Sequence, residues 1–236
     1  MRLPSLPTPG AGRLAIPALA AALAATFATP AVAQLDPRRG PPGCVPVAER
    51  QMERGCYIMV EHRLGSLPTD VPLHWNIAAY PSRAAAEAAR GQRGAVVEAL
   101  GRLWLMSIAE AGYRPARGEH LAEIGPLRIE AGTPYTAVYM QGIMLPGAET
   151  GVHHHPGPEV ILTLAGEECM ETPAGRMVGR PGGAPVMVPP GVAHRLTITG
   201  TEERQALALV LHDFNRPWAI RTHEHGWAPR GLCRGD

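Results

Sequence analysis

Between Gly151 and Glu159 the chain reads Gly-Val-His-His-His-Pro-Gly-Pro-Glu, which brings imidazoles and a carboxylate close together in sequence. Imidazole nitrogens and carboxylate oxygens together ligate divalent ions of intermediate softness. Side chains in an extended strand alternate faces, so His153 and His155 point the same way and His154 the other. Pro156-Gly157-Pro158 supplies a turn, after which Glu159 opens the next strand and can present its carboxylate beside the pair. A fourth ligand is expected from His194, which follows the turn at Pro189-Pro190-Gly191 and opens a strand of its own. The set His153, His155, Glu159 and His194 suits one divalent transition metal, Fe, Mn, Ni, Cu or Zn. It does not suit Ca, which takes oxygen ligands only. Glu159 is also the candidate catalytic group, able to shift between ligand and proton acceptor. His154, on the opposite face, is expected at the surface or behind the ligands.

Other residues are weighed against this set. On the last barrel strand Ala206, Ala208, Val210 and His212 share a face, which makes His212 a candidate pocket residue. Gln141, with Tyr139, is similarly placed on the first strand and is a candidate polar group for orienting a bound molecule. His223 and His225 repeat the H-x-H spacing, but no carboxylate follows and no strand pattern supports them, so a solvated tail is expected. His62, His74 and His120 are widely spaced and receive no role, and Trp75 and Trp104 read as packing residues.

These side chains need strands to position them. From Tyr135 to His212 short strands alternate with Gly/Pro turns, at Tyr135–Leu145, Glu159–Ala165, Glu168–Thr172, Arg176–Gly179, Pro185–Val188, His194–Thr199 and Gln205–His212. Such spacing argues a sandwich or barrel, and Thr172-Pro173-Ala174-Gly175 reads as a hairpin turn. Before it, residues 67–130 read as a small α/β segment packed on the barrel. A strand is expected at Val71–Tyr80, a helix at Arg83–Arg90 capped by Ser82, and further strands at Ala95–Leu100 and Leu103–Ala109. Along the second barrel strand Glu159, Ile161 and Thr163 should look inward, leaving Val160, Leu162 and Leu164 on an apolar outer face. That face needs a cover, either the α/β segment or the second subunit of a homodimer.

Arg2 and Arg13 precede an apolar run, Leu14 to Phe27, and Ala31-Val32-Ala33 offers the small residues of a cleavage site, so residues 1–33 read as a secretory signal. The run falls short of the ~20 apolar residues of a bilayer span, and no later segment reads as a membrane span. The expected location is periplasmic or secreted. Residues 34–66 are expected to be a flexible lead-in carrying Cys44 and Cys56, with order beginning near Cys44, and residues 219–236 a C-terminal tail. In an oxidising compartment four cysteines fit two disulfides. Three pairings are open, of which Cys44–Cys56 with Cys169–Cys233 is preferred. With 22 Lys+Arg against 21 Asp+Glu and a net charge of +1, the chain has no basic footprint for nucleic acid. It contains no Lys, which excludes Schiff-base chemistry.

The stretch from Gly147 to Ile198 resembles the cupin superfamily. The first motif of that family, G-x5-H-x-H-x3,4-E-x6-G, is matched by Gly147, His153, His155, Glu159 and Gly166. The second, G-x5-P-x-G-x2-H-x3-N, is matched by Gly183, Pro189, Gly191 and His194, with Ile198 in place of the final Asn, a position that is not a metal ligand in the family. The resemblance implies a mainly β fold, a small antiparallel jelly-roll barrel over about residues 131–218, with a mononuclear metal site inside. It also implies an enzyme acting on a small organic molecule. Dioxygenase-like oxidation is the reaction to test first, isomerase or lyase chemistry comes after it, and a non-catalytic module that binds a metal or small ligand is the alternative.

Overall fold

A computed structural model describes residues 43–221 and 226–234. In chain order its elements are β1 (Cys44–Pro46), β2 (Gly55–Ser66), β3 (Leu73–Tyr80), α1 (Arg83–Ala89), β4 (Gly94–Ala99), β5 (Arg102–Glu110), β6 (Glu119–Ile124) and β7 (Pro134–Met144). There follow β8 (His153–His154), β9 (Glu159–Ala165), β10 (Glu167–Thr172), β11 (Gly175–Gly179), β12 (Val186–Val188), β13 (Arg195–Thr199), β14 (Arg204–Asp213) and β15 (Ile220–Arg221).

The fold is mainly β and almost entirely antiparallel, a jelly-roll barrel carrying a second sheet on its outside. One barrel wall is a six-stranded sheet in the order β1-β2-β7-β14-β9-β12, in which only the β1–β2 pairing is parallel. The facing wall is the sheet β11-β10-β13, which backbone bridges Glu149↔Thr197 and His153↔His194 extend to β8 and so to β15. Thr172 and Gly175 pair across the expected hairpin turn.

Strand alternation sorts the six-stranded wall as its sequence requires. Ile161, Ala206 and Val210 are buried inside the barrel, whereas Val160, Leu207, Leu209 and Leu211 face outward with Tyr139. The cover over this apolar face is the sheet β4-β5-β3-β6, which contributes Trp75, Ile77, Trp104, Met106 and Ile108 to the same core. The face that raised the expectation of a second subunit is therefore buried within the chain. Helix α1 lies on the far side of that sheet, where Ala86 joins Ala78, Tyr80, Val96 and Leu105. Ser82 caps it, its side chain accepting from Ala85 N–H at 3.2 Å.

One expectation is corrected. Residues 34–66 are not wholly a lead-in, because Gly55–Ser66 forms β2, a twelve-residue strand of the barrel wall. Register shifts between Ile58 and Val60 and between Arg63 and Gly65 break its alternation, which hides the strand from a period-two reading. The expected signal at residues 1–33 lies outside the described residues. Both preferred disulfides are present, Cys44–Cys56 and Cys169–Cys233, the second fastening the C-terminal segment to β10. Among the described residues no helix is long and apolar enough to cross a membrane.

Candidate metal centre

The backbone brings the ligand candidates together before any side chain acts. His153 N–H donates to His194 O at 3.1 Å and His194 N–H donates to His153 O at 2.9 Å, so the two histidines face each other across a bridge. Gly191 N–H donates to His155 O at 2.8 Å, tying the second turn to the first. At Gly157 the chain passes so close to Leu211 that a Cβ would collide with its carbonyl, and the neighbouring Leu211 N–H donates to Pro158 O at 3.0 Å. Only glycine fits there, and the tight passage starts β9 with Glu159 aimed inward.

Each imidazole is oriented by a main-chain carbonyl. Nδ1 of His153 donates to Gly151 O at 2.8 Å, Nδ1 of His194 to Val192 O at 2.8 Å, and Nδ1 of His155 to Trp218 O at 2.6 Å. With Nδ1 as the donor, each neutral ring presents the Nε2 lone pair inward. Nε2 of His153 and Nε2 of His194 then face each other as acceptors at 3.2 Å, and Nε2 of His155 has no hydrogen-bond partner. Two lone pairs at that separation repel unless a cation or a proton lies between them.

The carboxylate completes the group. Glu159 Oε2 is 3.1 Å from His194 Nε2, and Oε1 is 3.8 Å from His155 Nε2. Ligand atoms of the three histidines lie within 4.8 Å of one another. An ion bonded at about 2.1 Å to each ligand holds neighbouring donors roughly 3 Å apart, so the residues fit a single transition metal. Trp218 covers the site, its ring stacked on His155 with centroids 5.4 Å apart and planes 5° from parallel.

Burial, assisted by the charge at His194 and opposed by that of Glu159, brings the His153 pKa down to about 4, and burial takes His155 down to about 3. Burial alone would raise Glu159, but the imidazoles, His194 foremost, outweigh it and bring its pKa down to about 2. Neutral imidazoles beside an ionised carboxylate are the protonation states that metal ligation requires. In the metal-free protein they fix the sign of the pH dependence. Between about pH 6.5 and 4 the unfolded chain takes up protons on these histidines that the folded chain refuses, so stability falls as pH falls. The Glu159 contribution is lost in the same direction below about 4.5. Each refused proton is worth about 1.4 kcal/mol per pH unit, or roughly 2–4 °C in Tm at this chain length. Thermal unfolding of chelator-treated protein is expected to show a level Tm above pH 7 and a drop of several degrees per unit below 6.5. A Tm independent of pH between 4 and 6.5 would contradict the burial of neutral imidazoles.

The remaining candidates are placed differently. His154 is buried on β8 opposite Ile220, contrary to a surface position, and does not belong to the converging set. Gln141 shares the outward parity of Tyr139 on β7, and its Oε1 accepts from Leu100 N–H at 2.9 Å, in the β4–β5 turn. Its side chain thus links the two sheets, and the residue also lines the cavity beside the ligand candidates. His212 has the inward parity expected of it, but its Nδ1 meets Asp213 O at 2.9 Å and it does not line the cavity beside the ligands. His223 and His225 lie outside the described residues.

That cavity has a volume of about 220 Å³ and is bounded by His153, His155 and Glu159. Met140, Ile161, Met170, Leu196, Ala208 and Trp218 give it apolar walls, and the Cys44–Cys56 disulfide lies along one side. It is smaller than the ~300–1,000 Å³ common for drug-sized ligands, so it suits a small molecule. Two of its features escape the sequence reading. Trp218 belongs to a tail without regular pattern. Arg204 also lines the cavity, and the inward row Ala206, Ala208, Val210, extended one step back, reaches it.

No family model and no curated protein matches the chain in sequence. Among solved structures, a cupin-like protein from Thermotoga maritima is similar at 19% identity over 43% of this chain and 75% of its own, with a TM-score of 0.33. A recombinant oxalate oxidase in complex with glycolate is similar at 18% identity, over 39% of this chain and 49% of its own, with a TM-score of 0.30. A capsular polysaccharide assembling protein from Staphylococcus aureus is similar at 16% identity and a TM-score of 0.31, over 40% of this chain. The present chain spans only 31% of the length of that last protein. At these TM-scores the barrel assignment rests on the chain's own strand order and register, which are those of a jelly roll closed around three inward-facing imidazoles.

Proposed function

We propose that His153, His155, Glu159 and His194 hold one divalent transition metal, and that the protein is an exported metal-dependent enzyme acting on a small organic molecule. Oxidation by O2 of the dioxygenase type is the reaction to test first. The observation that carries the reading is the pair of facing Nε2 acceptors at 3.2 Å, one of them on His153 at the wall of a mostly apolar cavity. When bound there, the metal would supply Lewis-acid polarisation or O2 activation. The chain's own groups do the rest. Three main-chain carbonyls hold the rings in one tautomer. Glu159 stays ionised, and its Oε1, 3.8 Å from His155 Nε2, is the oxygen placed to accept a proton from a bound molecule. Trp218 and the methionines keep bulk water from the reacting end.

Export is supported by the leader-like residues 1–33 and by two disulfides, which persist in oxidising compartments. The test is anaerobic purification with elemental analysis, followed by O2 uptake against a panel of phenolics and small keto acids. One metal per chain and turnover of at least one compound is the expected result. Metal bound with no turnover of any kind would point instead to a binding module of the same fold.

A further inference from the structure

Arg204 is the one cation on the wall of the metal cavity among the described residues, and it is 3% exposed. Its Nη1 reaches to Gly142, where a Cβ would strike it, and Gly142 itself lines the cavity. Behind it, Nη2 is in contact with Glu168, a carboxylate with no exposure, and Nε has no hydrogen-bond partner. Burying a guanidinium with donors unmet is costly unless a further acceptor arrives. Glu168 anchors one edge of the fork and leaves the other toward the cavity.

Formal charge says what that acceptor is. A divalent ion on neutral imidazoles and one carboxylate leaves the ligand set at a net single positive charge, the Arg204–Glu168 pair cancels within itself, and Glu149, the other carboxylate on the wall, is offset by Arg195 and Arg234, each 3.6 Å from it. A monoanion brings the closed cavity to neutrality, whereas a dianion or a cation does not. The walls between the two polar ends are mostly apolar, with Met140, Ile161, Met170, Leu196 and Ala208 among them, so the body of the ligand is mainly hydrocarbon.

We propose that the cavity takes a small monocarboxylic acid whose carboxylate is received by Arg204 while its other end lies at the metal ligands. The inference rests on the quartet holding metal and names the substrate class of that same site. Arg204 is then a binding residue for the substrate, and Glu168 is the positioning residue that holds it.

Sodium butanoate and butanamide, matched in shape and differing in charge, provide the test. Calorimetric titration of the metal-loaded protein is expected to show butanoate binding about tenfold more tightly, the size of one charge-assisted hydrogen bond. The double variant Arg204→Met, Glu168→Met removes both charges together, which spares the fold an unpaired buried ion. It is expected to keep its metal and bind the two probes within about twofold of each other. Should that variant not fold, the wild-type ratio decides alone. Equal affinities, no binding of either probe, or a butanoate preference that survives in the folded double variant overturns the proposal, the last because the acid then sits on the metal. Metal content measured on the same sample separates the two readings. A metal-loaded chain indifferent to the probes refutes the acid alone, and a chain that binds no metal refutes the quartet and the acid with it.

Discussion

A His153→Ala, His194→Ala double variant is expected to fall from about one bound metal per chain to less than about a tenth, measured by elemental analysis after gel filtration. The two side chains supply half the proposed quartet, and the nitrogens they remove are the pair facing each other at 3.2 Å. The fold should survive, because the bridge between positions 153 and 194 is made by main-chain groups that alanine keeps. It should even gain stability without metal near pH 5, where His153, whose pKa burial holds down, is no longer there to resist protonation. His212→Ala serves as the control, since its ring nitrogen is turned to Asp213 O and lies outside the converging set. Full metal retention in the double variant would sink the quartet.

Most of the barrel was legible because strand periodicity there is undisturbed. The expected strands at 159–165 and 205–212 differ from β9 and β14 by at most one residue at either end. The turns between them carry Gly and Pro where sharp reversal or close approach demands it, as at Gly157. The convergence of His153 and His155 was legible for the same reason, since alternation alone separates them from His154. What escaped did so for physical causes. Strand β2 is bulged, so its parity flips partway along. Strand β6 is the edge of its sheet and polar along much of its length, with no full burial before Ile124. Trp218 is held at the site by its carbonyl accepting from His155 Nδ1 and by the adjacent pairing of β15 with β8, contacts without a local sequence signature. Gln141 does line the cavity, but the contact its Oε1 makes with Leu100 N–H of the neighbouring sheet has no local sequence signature.

Trp75→Ala is expected to cost about 3–5 kcal/mol, the range for removing a buried tryptophan, and to do so in a single unfolding transition. Trp75 is fully buried on β3, and its ring centroid lies 6.4 Å from that of Tyr139 on the barrel strand β7. The cavity it leaves therefore opens between the two sheets rather than inside one. Because Trp75, Ile77, Trp104, Leu207 and Leu209 belong to one contiguous core, the outer sheet and the barrel wall should unfold together. Urea titration followed by tryptophan fluorescence and by far-UV dichroism is expected to give coincident curves, shifted to lower midpoint with unchanged slope. The indole N–H of Trp75 is buried without an acceptor, so Trp75→Phe removes an unmet donor along with part of the ring and should cost clearly less than alanine. Leu121→Ala, at a residue 40% exposed on β6, should stay within about 0.5 kcal/mol of the parent. Two separated transitions in the Trp75→Ala protein, with the metal site outliving the first, would mean that the outer sheet is a domain of its own and not the cover on which the barrel depends.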